Sequence, residues 1–420
     1  MKFRVANFRS IRAEHELSFA AADIDDEIIR RTGVVSGGKE IGVIPAVGIF
    51  GANASGKSNV LQAIRAMKSA VMNSVADWAR VEGVPREPFA LDADARDETT
   101  LFEVDLLLGP SQVRYTYGFE LSDERVEAEW LHAYPEGHKQ VWFDREADRD
   151  GGEDFRFPNA NLRDGKRLVE LTRPNALLLT VGASFNHRQL GAIHRWFIDN
   201  FWLVTSGEDV AQRSAYTRDR LVSGRGGAKY RKQVESLLKV ADLGIVGLDI
   251  DKTLPEENQV RLLHRADGGK PMPLDFLAQE SLGTHAWFAF LGPVLEVLDR
   301  GSVLLADELD SSLHPLLASE VVRLFQDPEA NSRGAQLLFT THDATLLGTG
   351  MVGRPLSREQ VRITTKRKTG ETELYPLLDA HPRKDENLER SYLRGRFGGV
   401  PRVMEGATAR EVAELLAGVG

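Results

Sequence analysis

Gly51-Ala-Asn-Ala-Ser-Gly56-Lys57-Ser58 is the stretch that most constrains what this chain can fold into. It follows an apolar run, Ile44 to Phe50, and precedes a helical pattern with Val60, Ile64, Met67 and Val71 on one face. The string fits G-x-x-x-x-G-K-[ST] where a buried strand hands over to a helix, and average residue usage would produce it by chance about 0.02 times in a chain of this length. Gly51 and Gly56 let the loop turn and bring its backbone N–H groups close to an anion, with no Cβ in the way. Lys57 is then placed to set a point charge against the β and γ phosphates of a nucleotide, and Ser58 to offer its hydroxyl to Mg²⁺. The positive end of the following helix dipole points at the same anion. Asn53, Ser55 and Asn59 complete the loop residues expected to line the nucleotide.

The whole chain sets wide bounds around that loop. Its 420 residues, 42% of them hydrophobic, are enough for a large core and two or three domains, or for one domain with large insertions. The absence of cysteine excludes disulfides, Fe–S clusters and Cys-ligated zinc. The opening MKFRVANFRSIRAEHE has charges every few residues, and no apolar run reaches the roughly 18 residues of a membrane span, so the expectation is a cytosolic protein with no membrane partner. A net charge of −9 argues against a surface that binds nucleic acid everywhere. Two local segments are basic. Arg213 to Lys232 has seven Lys/Arg against one Asp, and His381 to Arg402 has six against three acids. Solvated helix and loop faces are the plainer reading of both.

Taken in order, residues 2 to 19 read as two strands joined by a short turn, with loops at Asp23 to Glu27 and Ser36 to Gly42. Ile44 to Phe50 is apolar throughout, as a strand buried on both faces requires. After a Pro- and Asp-rich connector, Val81 to Thr99, the period changes to two from Leu101 to Phe157, which predicts an antiparallel meander. Leu177 to Thr180 reads as a strand, Arg188 to Val204 as a helix, residues 205 to 227 as loop, Tyr230 to Leu243 as a helix and Val260 to His264 as a short strand. Asp249-Ile250-Asp251 resembles a metal-binding D-x-D but has no third carboxylate in register, so it is read as a surface turn. Buried strands return at Ser302 to Ala306 and Gln336 to Thr341, around a helix from His314 to Gln326. A hairpin, Val361 to Lys366 with Glu371 to Tyr375, and helices at Leu388 to Phe397 and Ala409 to Ala417 close the chain.

The polar residues of this second half stand at strand ends, where open α/β sheets hold ligands. Asp307-Glu308 follows the apolar SVLLA: Asp307 is placed to hold Mg²⁺ through water, and Glu308 to orient or deprotonate an attacking water. His342 ends the next strand, within reach of a γ-phosphate. Ser281-Leu282-Gly283-Thr284 opens an apolar helix, where Ser281 is a good N-cap and the helix end a second anion site. Pro293, inside that helix, predicts a kink or restart.

This order of features, with VLLADELDSSLHP and FTTHD, resembles the ABC-type ATPase heads of the SMC, RecF and OLD-nuclease group over about residues 1 to 375. The opening Asn7 to Ser10, NFRS, is similar to the start of that group's first lobe. The tail LERSYLRGRFGGVP, Leu388 to Pro401, resembles stand-alone bacterial OLD-like ATPases of phage-defence modules. The resemblance implies an α/β fold, a P-loop NTPase head of ABC type with an antiparallel β lobe and a helical insertion. It divides the chain into 1–180 with the P-loop and lobe, 181–270 as a mainly helical insertion, 271–375 as the second ATPase part, and 376–420 as a helical tail.

The resemblance also implies roles. Ser281, Gly283 and Thr284 match the signature motif, Asp307 and Glu308 match Walker B, Ser311 to Pro315 match the D-loop, and His342 matches the switch histidine. ATP and Mg²⁺ are the implied ligands. Lys57, Glu308 and His342 would serve catalysis, and Ser58 and Asp307 the metal. Because the signature acts in trans, a homodimer or an assembly of dimers follows. No Q-loop glutamine is assignable, and the signature begins Ser-Leu-Gly where transporters have Ser-Gly-Gly. The 78 residues after His342 lack the Glu plus D-x-D set of a Toprim domain, so a nuclease effector would be a separate chain.

Three other functions are weighed against the motifs. A DNA-repair or chromosome-maintenance ATPase would bind DNA across closed heads, although the roughly 220 residues between Gly56 and Ser281 show no coiled-coil heptads. A transporter ATPase is disfavoured by the β lobe and by Leu309 after Asp-Glu, and a scaffold that does not hydrolyse is disfavoured by intact Lys57, Asp307 and Glu308.

Overall fold

The computed structural model describes residues 1–21, 28–36, 38–109, 111–148, 152–158, 162, 164–205, 209–241, 244–267, 269–311, 313–350, 355–401 and 406–417. An antiparallel pair, β1 (Lys2–Ala6) and β2 (His15–Ser18), is followed by a hairpin of β3 (Arg30–Ser36) and β4 (Lys39–Val43). β5 (Ala46–Gly51) runs into α1 (Lys57–Asn73), and a connector with α2 (Ala93–Asp97) leads away from it. Then come β6 (Thr100–Leu108), β7 (Val113–Leu121), β8 (Val126–Tyr134), β9 (Gln140–Ala147) and β10 (Glu153–Arg156). The middle of the chain contains α3 (Gly165–Glu170), α4 (Leu178–Ser184), α5 (Arg188–Asn200), β11 (Phe201–Val204), α6 (Val210–Ser223) and α7 (Gly227–Val240). β12 (Ile245–Ile250), β13 (Val260–His264), β14 (Met272–Leu274) and α8 (Phe276–Gln279) precede the long α9 (Leu282–Arg300). β15 (Val303–Ala306), α10 (Pro315–Gln326), β16 (Gln336–Thr341), β17 (Val361–Lys366), β18 (Thr372–Pro376), α11 (Leu388–Leu393) and α12 (Ala407–Ala417) complete it.

Two large sheets organise these elements. The core sheet has the order β11-β15-β16-β5-β17-β18, parallel throughout except for the β17–β18 pair at its edge. The lobe is an antiparallel sheet in the order β10-β9-β8-β7-β6-β1-β2, so the chain's first strands join the meander that the period-two stretch predicts. The fold is thus an α/β P-loop NTPase head with an antiparallel lobe.

β5 shows why its sequence reads as apolar without a break. Alternate side chains of a strand leave opposite faces. Val47 and Ile49 enter a core shared with α1, α5 and the lobe, while Ala46 and Phe50 enter a second core with α9 and α10. Each fully buried large apolar side chain in these layers contributes about 1.5–3 kcal/mol. Gly48 is required by the neighbouring strand: a Cβ there would lie 2.8 Å from Cζ of Phe339 on β16.

Several segments differ from the sequence reading. Leu177 to Thr180 is the start of α4, not a strand. Its first N–H groups are taken by a distant carboxylate: Glu129 of β8 accepts from Leu178 N at 2.7 Å and Leu179 N at 3.0 Å. This helix start has its anionic cap on another element, so nothing local announces it. Arg188 to Val204 divides into α5 and β11, the latter an edge strand of the core sheet. Within 205 to 227, residues 206–208 lie outside the described residues, but 210–223 form α6. That helix buries Arg213, Ser214, Thr217 and Leu221, a largely polar stripe that hides the helical period. It packs closely on α9, where a Cβ at Gly292 would lie 2.3 Å from Thr217 Oγ1.

Other corrections are smaller. Ser36 to Gly42 contributes to the β3–β4 hairpin, and Asp23 to Glu27 lies outside the described residues. The stretch 181–270 holds, besides its helices, β11, β12 and β13, and β13 pairs onward with β14 just beyond it. α9 runs through Pro293 without a break. Asp249 lies in β12 and its carboxylate is engaged by Arg261 of β13. The last helices are α11, shorter than expected, and α12. Among the described residues no group of three acids or histidines is disposed to hold a metal, and no helix is long and apolar enough to cross a membrane.

The lobe is tied to α1 by buried polar contacts. Besides capping α4, the Glu129 carboxylate accepts from Tyr117 Oη at 3.0 Å and lies 3.5 Å from the Arg145 guanidinium. Burial pushes this carboxyl above the usual range, and Arg145 and the donors oppose that rise. Thr180 of α4 in turn donates to Val71 O of α1 at 2.7 Å. Removing the carboxylate would leave Tyr117 Oη and the first N–H groups of α4 without their acceptor and take one of two carboxylates from the buried Arg145, which keeps Glu153. Glu129→Ala is expected to cost about 3–5 kcal/mol of unfolding free energy in a urea titration; a loss below about 1 kcal/mol would show that the cluster does not hold the lobe to α4.

Candidate active site

The carboxyl ends of β5, β15 and β16 meet at one place, and polar residues follow them: the loop to Lys57 after β5, Asp307-Glu308 after β15 and His342-Asp343 after β16. α1 begins at Lys57 after Gly56, whose φ of +100° only glycine adopts without strain. Lys57 is 5% exposed, and its ammonium donates to Gly51 O at 2.8 Å and Ala52 O at 3.2 Å, so it lies across the mouth of its own loop. Burial draws its pKa below the usual lysine range, against the opposing pull of Glu308, Asp307 and Asp310. His342 Nδ1 is 3.4 Å from Lys57 Nζ. Asn53 and Ala54 stand exposed at the loop's tip, and Ala54 too has positive φ, at 60°.

One carboxylate joins the three strands. Ser58 Oγ donates to Asp307 Oδ1 at 2.9 Å, and Thr340 Oγ1 donates to the same oxygen at 2.6 Å. The Thr340 hydroxyl also accepts the Glu308 N–H at 2.7 Å. Glu308 has φ of 52°, a left-handed backbone unusual for this residue type, and its N–H is held where that conformation directs it. On the other side, the His342 N–H is shared by both carboxylate oxygens of Asp310 at 3.3 Å.

The structure therefore brings Lys57, Ser58, Asp307, Glu308 and His342 to one site. Ser281, Gly283 and Thr284 are elsewhere, at the start of α9, where Thr284 is buried. Ser281 Oγ accepts Thr284 N at 3.1 Å, and no hydrogen bond among the described residues joins these three to Gly51–Ser58. Ser281 and Gly283 are exposed, and Leu282 between them is 86% exposed. Of the D-loop match, Ser311 lies beside Glu308 and Ser312 is outside the described residues.

Sequence reasoning did not single out Thr340 or Asp310. The signal for Thr340 was a hydroxyl inside an otherwise apolar strand, where a buried polar group needs a partner. Asp310 reads as one acid more in an acidic loop.

The arrangement fits a nucleotide triphosphate with a divalent cation. A hydroxyl and a carboxylate on one side are hard oxygen donors of the kind Mg²⁺ takes one or two at a time, and a lysine on the other answers phosphate charge.

The family model described as "AAA domain, putative AbiEii toxin, Type IV TA system" matches residues 46–348. No curated protein matches significantly. Among solved structures, an SMC head bound to the C-winged helix domain of ScpA is similar at 12% identity, covering 89% of this chain and 96% of that one with a TM-score of 0.47. The SMC head domain from Thermotoga maritima is similar at 15% identity, with 89% and 97% coverage and a TM-score of 0.42. An SMC head from Pyrococcus furiosus, bound to the C-terminal domain of ScpA, gives 13%, 90%, 97% and 0.41 in the same order.

Thr340 is fully buried, so its loss leaves Asp307 and the Glu308 N–H each short of a partner. Thr340→Val, which keeps the shape, is expected to cost about 1–3 kcal/mol in chemical denaturation, and Thr340→Ser to restore most of it. Equal stability of the valine variant and the wild type would contradict the bridging role.

Proposed function

The chain belongs to the AAA-domain family described as "putative AbiEii toxin, Type IV TA system", and from that premise we propose that it binds and hydrolyses ATP as a nucleotide-driven dimerisation switch. The observation that supports this best is the bridge Ser58–Asp307–Thr340–Glu308, with Lys57 and His342 opposite it. It supports the reading because it gathers the Gly51–Ser58 loop, the Ser58–Asp307 pair and Glu308, which would serve as phosphate cradle, metal ligands and water-activating base.

In this reading the ammonium of Lys57 leaves the carbonyls of Gly51 and Ala52 for the β and γ phosphates. Asn53, Ser55, Gly56 and Asn59 complete the cradle. Ser58 and Asp307 would hold Mg²⁺, which supplies charge neutralisation to the phosphates. Glu308 orients the attacking water and accepts its proton, and His342, held by Asp310, contacts the γ-phosphate.

The turn exposed at Ser281–Gly283, with Thr284 buried behind it, offers a capped helix N-terminus to an anion outside its own subunit. We therefore assign these residues to the nucleotide of a second copy, so that ATP closes a homodimer and hydrolysis reopens it. The division into 1–180, 181–270, 271–375 and 376–420 belongs to this reading, with 181–270 placing the signature helix relative to the core.

The switch is proposed to control a separate effector, a toxin-like or nuclease chain, in a bacterial defence system. The family's description and the resemblance of the tail support that role. The DNA-repair alternative receives less support. In the basic stretch 213–232, Arg213, Arg218, Arg220, Arg225 and Arg231 all face carboxylates of this chain, leaving Lys229 and Lys232 as the main charges for phosphate contacts.

Three measurements test the switch. Wild type is expected to release phosphate from ATP. Glu308→Gln should bind ATP, turn over at most about one hundredth as fast and elute as a dimer only with ATP. Ser281→Arg should bind ATP yet remain a monomer. Unchanged hydrolysis by Glu308→Gln would remove Glu308 from the catalytic role, and a mass independent of ATP in every variant would end the dimerisation reading.

A further inference from the structure

The back of the phosphate loop, away from the strand ends that carry Asp307 and His342, is braced by three hydroxyls from remote parts of the chain. Thr372 of β18 donates its hydroxyl to Ser55 O at 2.9 Å. Ser10 Oγ lies 2.7 Å from Thr372 Oγ1. Since the single Thr372 proton goes to Ser55 O, Ser10 is the donor in that contact. Asn59, in the first turn of α1, donates to Ser10 Oγ at 2.6 Å, and Thr372 N donates to Ser10 O at 2.7 Å. One step along the loop, Ser55 Oγ pairs with Thr364 Oγ1 of β17 at 2.7 Å, and Thr364 donates to Phe50 O at 3.2 Å. Ser55, Thr364 and Thr372 are all buried.

We propose that Thr372 is a positioning residue for phosphate binding: by holding the Ser55 carbonyl from behind, it aims the Gly56 N–H into the anion cradle. The argument is geometric. The Ser55–Gly56 peptide is planar and trans, so its C=O and N–H point in opposite directions. Fixing the carbonyl on the β18 side fixes the N–H on the other. Thr372 also explains why position 56 takes no side chain from behind. A Cβ on Gly56 would lie 2.0 Å from Thr372 Oγ1 and 2.9 Å from Ser10 Oγ. The bond to Asn59 extends the brace into the helix whose N-terminus faces the phosphates. Thr364 and Thr372 both lie beyond the family-matched residues 46–348, and Ser10 lies before them. The loop's anion-binding geometry is thus completed by the chain's two ends.

This inference rests on the reading of Gly51–Ser58 as the nucleotide site, and the experiment separates the two. Calorimetric titration with ATP and with inorganic tripolyphosphate is carried out on wild type, Thr372→Val, Thr372→Ser and Ser10→Ala. Thr372→Val is expected to weaken both ligands about tenfold or more, because the loss falls on phosphate recognition. Thr372→Ser should stay within about threefold of wild type and Ser10→Ala should weaken binding about threefold. In turnover, Thr372→Val should raise KM more than it lowers kcat. Thr372→Val that binds both ligands as wild type does, with an unchanged melting profile, overturns the proposal. Should that variant fail to fold, Ser10→Ala decides, and wild-type affinity there overturns it. Wild type that binds neither ligand removes the nucleotide-site reading and this inference with it.

Discussion

The Asp307 carboxylate is the junction on which the site depends. A carboxylate half-buried at the end of a buried strand needs protein donors for part of its lone pairs, and two hydroxyls converge on one of its oxygens. Those hydroxyls come from α1 and β16, while Asp307 itself follows β15. Satisfying one half-buried acid therefore fixes the relative heights of three elements that are far apart in sequence. Thr340 adds the Glu308 N–H to the same junction, which holds Glu308 in a left-handed backbone conformation it would not adopt freely. Because the parallel sheet behind it is buried on both faces, the strain is borne by packing that the site residues do not themselves supply.

The parts legible in the sequence were those whose physics is local. Ile44 to Ser58 combines an apolar strand, a loop without side chains at two points and a helix start, and each of these is a property of neighbouring residues. The meander of the lobe was legible for the same reason, since alternation needs no knowledge of the partner strand. The illegible parts were settled by distant groups. Leu178 and Leu179 begin a helix because Glu129, some fifty residues earlier, accepts their N–H groups. α6 was hidden because its buried stripe is Arg213, Ser214, Thr217 and Leu221, residues that a polar loop also contains. β11 was read as the end of a helix because four residues beside β15 carry too little pattern to separate them from α5.

The site divides along the same line. Lys57, Ser58, Asp307, Glu308 and His342 announce themselves by standing at the ends of apolar runs. Thr340 and Asp310 do not, because their function is to hold other residues and their types are common in strands and loops. The signature turn is a third case. Ser281 was legible as a helix cap, and the structure shows that cap formed within its own first turn, but in the proposed dimer its meaning for an anion would depend on a surface of the second copy. A residue's legibility thus follows from how far away the group that gives it purpose lies.

The brace behind the loop carries this reasoning to its limit. Gly56 appears in the motif because an anion approaches the loop from the front, yet the atoms that exclude a Cβ in this structure approach from behind, from Thr372 and Ser10. One glycine therefore answers two constraints on opposite sides of a single peptide. The front constraint can be read from a string of eight residues. The rear one requires β18 to have returned to the edge of the core sheet and β1–β2 to have closed over it, so it exists only once the two ends of the chain are folded onto the middle. A loop that reads as self-contained is in this protein a property of the whole tertiary fold, and its stiffness depends on the Thr372 hydroxyl, 317 residues away from the Ser55 carbonyl it holds.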